Sequence, residues 1–248
     1  VGKSTVFNAL TGLHQHTGNW AGKTVASAVG TTVCCGETIL LADLPGTYSL
    51  RARSAEEAVA RDFLCFAKPD AAVVVCDATC LERGLLLVMQ VLETCPKALL
   101  CVNLLDEAEK RHITIDLPRL EQCLGIPVVG VAARSGKGLA QLQERLHALL
   151  HEDAPSPCPV PIPEQLEEPL QLVQAALPEN GNGLPPLWTA KRLLEPEPEL
   201  HEKIAAHMGI SLETGEIADA LRQAQCLISP EQCADAMIAA VVTHSEEI

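Results

Sequence analysis

Aromatic side chains are scarce: two Trp, one Tyr and three Phe in 248 residues, or 2%. A core must then be filled by Leu, Val and Ala, which a hydrophobic content of 48% supplies in quantity. Long apolar runs are missing too. Segments 71–76 and 236–242 fall far short of the roughly 18 residues that a membrane-spanning helix needs. The opening does not read as a secretory leader, so a soluble, cytosolic segment is expected. The 11 cysteines contain no C-x-x-C pair, and Cys76, Cys101 and Cys123 sit in apolar stretches. That pattern argues for reduced, buried thiols rather than a disulfide framework or a zinc site.

Positive charge is lacking in one half only. The chain carries −14 overall. Residues 1–150 hold 15 acidic against 14 basic side chains, whereas residues 151–248 hold 17 against 4. So acidic a second half would repel phosphates, and nucleic-acid binding is not expected of it. The change falls beside Ala154-Pro155-Ser156-Pro157-Cys158-Pro159-Val160-Pro161-Ile162-Pro163, where alternating prolines forbid a helix and favour a stiff, extended linker. Two domains are expected, residues 1–151 and 164–248.

In the first domain, β-branched or wholly apolar stretches at 24–35, 37–43, 71–76, 98–102 and 127–131 read as strands. Segments 54–67, 81–93, 117–124 and 139–150 have helical apolar spacing, the first opened by Ser54 as N-cap. This alternation predicts an α/β fold, a mostly parallel sheet with helices on both faces. Ligands of such sheets sit at the carboxyl ends of the strands. In the acidic domain, segments 164–177, 187–194, 198–208, 215–226 and 230–243 read as helices, a small all-α domain with Leu221, Ile228 and Met237 in its core. Ser229-Pro230-Glu231 combines an N-cap, a first-turn proline and an acid.

Four short motifs follow the predicted strands in order. Gly2-Lys3-Ser4-Thr5 is the tail of a P-loop, whose backbone cradles phosphates while the Lys reaches the β/γ-phosphates and the hydroxyl ligates Mg²⁺. The first glycine of that motif and its feeding strand are expected before Val1, and that strand is central in such a sheet. Asp43-Leu44-Pro45-Gly46 offers a carboxylate for Mg²⁺ and a glycine N–H for a γ-phosphate. In Asn103-Leu104-Leu105-Asp106, a fixed carboxylate can accept from guanine N1–H and N2–H₂, donors that adenine lacks. Ala132-Ala133-Arg134-Ser135-Gly136 supplies small residues where backbone N–H can approach the base. Read alone, Asp-x-x-Gly is also an ordinary strand-closing turn and Asn-x-x-Asp a helix cap. In this order, each at a strand end, they are the motifs of a P-loop GTPase fold.

Thr17-Gly18-Asn19-Trp20-Ala21-Gly22-Lys23-Thr24-Val25, followed by Asp43-Leu44-Pro45-Gly46-Thr47-Tyr48-Ser49-Leu50, resembles the cytosolic N-terminal portion of the bacterial ferrous-iron transporter B family. Asp77-Ala78-Thr79-Cys80-Leu81-Glu82-Arg83 and Asn103-Leu104-Leu105-Asp106 carry the same resemblance, which covers about residues 1–150. The acidic remainder matches that family's helical domain in position and character only.

The resemblance implies roles for named residues. Gly2, Lys3, Ser4 and Thr5 bind phosphate. Ser4, Thr24 and Asp43 serve Mg²⁺, and Thr24 is the first-switch threonine that closes on the metal and the γ-phosphate. Asp43 and Gly46 form the second switch, so Lys3, Thr24 and Gly46 carry the reaction. Asn103 and Asp106 read guanine, with Ala133 and Arg134 at the last base-contacting turn. Thr47 stands where many GTPases carry a water-orienting Gln, so slow turnover is expected. GTP and GDP are the implied ligands with Mg²⁺; members of that family often use K⁺ with a P-loop Asn, a position expected before Val1.

Residues 17–22, with two glycines, a Trp and no helical or strand period, are expected to move as a switch. The implied whole is a GTPase on the cytoplasmic face of the bacterial inner membrane. It would be coupled to ferrous-iron uptake through a following membrane domain of the same polypeptide, and a homo-oligomer is compatible with it. Two other readings share the motifs. A ribosome- or tRNA-associated GTPase is disfavoured by the acidic half. A nucleotide-binding interaction module without turnover is kept open by Thr47. His14 and His16 flank the switch, where solvated loop histidines are commoner than metal ligands.

Overall fold

A computed structural model describes residues 2–12, 15–18, 27–47, 50, 54–178 and 182–248. Thr24, Trp20 and His14 lie outside the described residues, as does the side chain of His16. The chain divides into two compact units, residues 1–158 with Ile248 and residues 159–247. The boundary falls within the proline-rich stretch, which carries no regular structure from Asp153 to Pro163.

In the first unit, helix α1 (Lys3–Thr11) leads into an antiparallel meander of β1 (Gln15–Gly18), β2 (Ser27–Cys34) and β3 (Glu37–Asp43). β2 and β3 are joined by Cys35-Gly36, with φ of 53° and 84°. Positive φ at both central residues is the geometry whose twist matches the flanking strands of a tight hairpin. α2 (Ala55–Phe66) follows, and Ser54 Oγ accepts from the Glu57 N–H at 3.2 Å, the N-cap expected there. Then β4 (Ala72–Asp77), β5 (Ala98–Asn103) and β6 (Val128–Gly130) form a parallel sheet in that order, linked by α3 (Leu81–Leu92), α4 (Leu105–Lys110) and α5 (Leu117–Leu124), and α6 (Leu139–His151) closes the unit.

The residues of β5 are all buried, and their alternation sorts them into two layers. Ala98, Leu100 and Val102 join Leu85, Val88 and Val91 of α3 and Leu120 and Leu124 of α5. Leu99 and Cys101 join Val6 and Leu10 of α1 and Leu142, Leu146 and Leu149 of α6. Helices thus cover both faces. Burial pushes the Cys76 and Cys101 thiols up to about 12, so both stay protonated and inert. Cys123, expected in the core, is only half-buried.

Two features depart from the sequence reading. The parallel sheet is three strands, and β1–β3 form a separate antiparallel one; β3 and β4 are both terminal strands. Ile39 and Leu41 of β3 and Val73 and Val75 of β4 nevertheless pack against the same cluster beneath α1 and α6. Thr17 and Gly18, read as part of an aperiodic loop, are paired in β1 with Ala28 and Ser27.

The second unit contains α7 (Glu164–Ala176), α8 (Pro186–Leu194), α9 (Pro198–Met208), α10 (Glu216–Leu227) and α11 (Pro230–Glu247). α7 packs chiefly on α10, and Leu166, Leu170, Val173, Leu221, Ile228 and Met237 are buried. Ser229 and Gln232 exchange hydrogen bonds at the start of α11, each side chain accepting from the other's N–H at 3.2 Å. This reciprocal cap explains why the helix starts at Pro230. No single helix among the described residues is long and apolar enough to cross a membrane.

Candidate functional site

Among the described residues, the predicted site residues lie at or just after the carboxyl ends of β3, β5 and β6 and at the first turn of α1. Gly2 caps α1 with φ 72°, a left-handed conformation that glycine adopts without strain. It has a second reason to be glycine. A Cβ there would stand 2.6 Å from Asn103 Nδ2, so the P-loop tail and the end of β5 meet with no room for a side chain.

Asn103 is 1% exposed and ends β5. Its Oδ1 accepts the Ala133 N–H at 3.1 Å. One buried amide therefore ties together the P-loop tail, the Asn-x-x-Asp loop and the turn after β6, three motifs separated by 101 and 30 residues of chain. A buried amide with a fixed partner cannot shift without leaving a polar group unpaired, which is why it positions its neighbours well.

Leu104 is the unexpected element of this corner. Its φ of 65° and ψ of 33° put a bulky residue in the left-handed region, at a cost of about 1–2 kcal/mol. The turn is held by the Leu105 N–H donating to Val131 O at 3.2 Å. It starts α4 at once, with half-buried Asp106 in the first turn. Strain of this kind persists where the surroundings over-determine it, and such places cluster at functional sites.

On the other side, Lys3 Nζ donates to Asp43 Oδ1 and to the Leu44 carbonyl oxygen. Asp43 ends β3, so the hairpin delivers its carboxylate to the P-loop lysine across 40 residues. The Leu44 carbonyl is invisible to sequence reasoning, because a backbone acceptor carries no residue signal. Ser4 and Thr5 lie exposed in the first turn of α1, where unpaired N–H groups and the helix dipole favour an anion. Gly46 is exposed, with nothing within 4 Å of where a Cβ would be. Thr47 Oγ1 donates to Glu57 Oε1 at 3.4 Å. Arg134 and Ser135 are exposed on the turn after Ala133, and the Ser135 N–H closes it on Ala132 O at 3.0 Å.

Asp77, aligned with Asn103 across the parallel pair, accepts both the N–H and the hydroxyl of Thr79, at 2.8 and 2.7 Å. This turn carries the chain from β4 into α3 beside the site. The structure thus brings together Gly2, Asn103 and Ala133 on one side and Lys3 and Asp43 on the other. It leaves Ser4, Thr5, Gly46 and Arg134 open to solvent nearby.

Comparison with known proteins places this architecture. A family model described as ferrous iron transport protein B matches residues 1–146. The Fe(2+) transporter FeoB of Salmonella typhimurium is 40% identical over 146 residues, 57% of this chain and 19% of that protein. The Escherichia coli (strain K12) FeoB is 39% identical over the same length. The chain therefore spans about a fifth of the length of these curated relatives. Solved cytosolic domains match over nearly all of it. That of the T. maritima FeoB iron transporter in a GMPPNP form has a TM-score of 0.80 at 32% identity, covering 100% of this chain and 94% of that one. Its GDP form II gives 0.79 at 31%, with the same coverage. The L. pneumophila FeoB cytosolic domain gives 0.81 at 28%, covering 99% and 92%.

Proposed function

The chain belongs to the ferrous iron transport protein B family, and from that premise we propose that its first unit binds GTP and GDP and hydrolyses GTP slowly. The observation that carries this reading is the Asn103 amide, which brings the P-loop tail and the base-recognition turn to one point.

Each residue then has a task. Lys3 is held by Asp43 and Leu44 O until a triphosphate arrives. Phosphate oxygens replace both acceptors, and the lysine's charge offsets the charge on the β/γ-phosphates. Gly2 and the first N–H groups of α1 face the same oxygens. Asp106 accepts from guanine N1–H and N2–H₂, while the Ala133 and Arg134 backbone borders the base. An adenine there would leave the carboxylate desolvated and unpaired. The exposed Ser4 hydroxyl and the half-buried Asp43 carboxylate are hard oxygen donors, a donor set that suits Mg²⁺. Held there, that ion would offset the negative charge of the nucleotide's phosphates.

Gly46 offers its N–H to the γ-phosphate, and Thr24, outside the described residues, closes the first switch. Thr47 has too short a side chain to orient water as a Gln does and is engaged with Glu57, so we expect slow turnover. At the scale of the whole protein, we place this segment on the cytoplasmic face of the bacterial inner membrane. There nucleotide state would regulate ferrous-iron passage through a following membrane domain.

Asp106→Asn tests the base assignment. The amide presents a donor to the 2-oxo group of xanthine, so affinity should move from GTP toward XTP by at least about tenfold. Titration of the full-length protein with both nucleotides reads this directly. An unchanged GTP preference would remove Asp106 from the site.

A further inference from the structure

A second cluster of ligating side chains lies where α6 meets the β2–β3 hairpin. Glu37 is the first residue of β3 and follows the Cys35-Gly36 turn, so a two-residue connection fixes where its carboxylate stands. Opposite it, Gln143, His147 and His151 recur every four residues along α6 and share one helical face. Gln143 docks that face on the hairpin, donating its amide to Thr32 Oγ1 at 2.8 Å.

One turn on, His147 Nε2 lies 3.2 Å from Glu37 Oε2. A turn further, His151 Nε2 lies 2.6 Å from the same oxygen. The two rings are 4.5 Å apart and tilted by 44°, and the three donor atoms all lie within 4.8 Å of one another. An ion pair alone does not account for this. One carboxylate oxygen is faced by two imidazoles, and His147 Nε2 is sealed from solvent yet makes no hydrogen bond among the described residues.

We propose that Glu37, His147 and His151 form a binding site for a divalent transition-metal cation. Two imidazole nitrogens and one carboxylate oxygen suit Zn²⁺, Fe²⁺ or Co²⁺, whereas Mg²⁺ and Ca²⁺ take oxygen donors. Metal–ligand bonds of about 2.0–2.2 Å put tetrahedral donors roughly 3.3–3.6 Å apart. The His147–Glu37 separation of 3.2 Å is already close to that. The His151–Glu37 contact must open, and those side chains are 52% and 55% exposed, free to move outward. The same exposure gives the ion an entry path and leaves coordination positions for water. Glu37 and Asp43 are opposite ends of β3, so the site stands or falls independently of the nucleotide reading.

Co²⁺ titration of the whole chain, without nucleotide and with excess Mg²⁺, provides the test. The exposed thiols Cys35, Cys80, Cys158 and Cys226 are blocked first. The expected result is one equivalent of Co²⁺ with visible d–d bands, no thiolate charge-transfer band, and displacement by Zn²⁺ but not by Mg²⁺. His151→Ala should weaken binding by more than about tenfold, and so should Glu37→Gln, by analogy with the losses caused even by outer-sphere changes. His151 is half exposed, so its variant is expected to fold, and circular dichroism checks this. Unchanged Co²⁺ affinity in folded His151→Ala, or a spectrum dominated by thiolate ligation, would overturn the site.

Discussion

Gly2 concentrates the energetics of the site in one residue. Its φ of 72° already excludes a side chain at a cost of about 1–2 kcal/mol, and a Cβ would also press to 2.6 Å from the Asn103 amide. That amide is buried and bound to the Ala133 N–H, so it can yield only by breaking a hydrogen bond in the core, worth about another 1 kcal/mol. Gly2→Ala should therefore weaken guanine-nucleotide binding by at least about tenfold, since 1.4 kcal/mol is a factor of ten. The loss should extend to GDP, because base and phosphate contacts are both displaced. A fluorescent-GDP titration that gives parental affinity would show that Asn103 does not couple the motifs. Residue types alone point to Lys3, Asp43, Asn103 and Asp106, because each carries a functional group within a short, ordered motif. They do not point to Leu104, since nothing in a leucine announces a left-handed backbone. Nor do they point to the Lys3–Asp43 pair, which exists only once β3 has folded beside α1.

At the scale of elements, helix–sheet packing sets a limit that helix propensity alone would miss. Gly84 lies inside α3, and exchanging it for Ala would add about 1 kcal/mol of helix propensity. A Cβ there would, however, come within 2.4 Å of Cys76 Sγ and 2.9 Å of its Cβ. Cys76 is 2% exposed on β4, so neither atom can retreat into solvent, and over-packing a close-packed core costs about 1–3 kcal/mol. Over-packing outweighs propensity. Gly84→Ala should lower Tm by a few degrees; a higher Tm would mean that α3 can move off the sheet cheaply. Periodicity makes most helices legible, α5 (Leu117–Leu124) and α9 (Pro198–Met208) to the residue, because their caps are Asp116, Gly125 and Gly209. It misses α4, whose six residues are too few for an apolar period to show, and β1, whose pairing with β2 depends on partners distant in sequence. The separation of β3 from β4 is also beyond periodicity, which reports faces and not strand order.

For the molecule as a whole, the uneven charge has a consequence that no single contact carries. Residues 159–247 hold 15 acidic and 4 basic side chains, and two of the basic ones, Lys191 and Arg192, are buried. Arg192 is paired with Glu195 at 2.7 Å, so its charge is neutralised locally and does little to offset the surface. A surface this negative repels itself in the compact state more than in an expanded chain. Salt shortens the Debye length from about 10 Å at 0.1 M to about 3 Å at 1 M, which screens repulsion between exposed carboxylates far more than the buried Arg192–Glu195 pair. The second unit has its own core in Leu166, Leu170, Leu193, Leu200, Ile204 and Met237, so its stability can be followed as helix content of residues 159–247 alone. Raising NaCl from about 0.05 to about 0.5 M should raise its Tm by a few degrees, with sucrose at matched osmolality as the control for general exclusion effects. A Tm that falls with NaCl would mean that attractive surface pairs outweigh the repulsion, and that the net charge is the wrong guide to this unit.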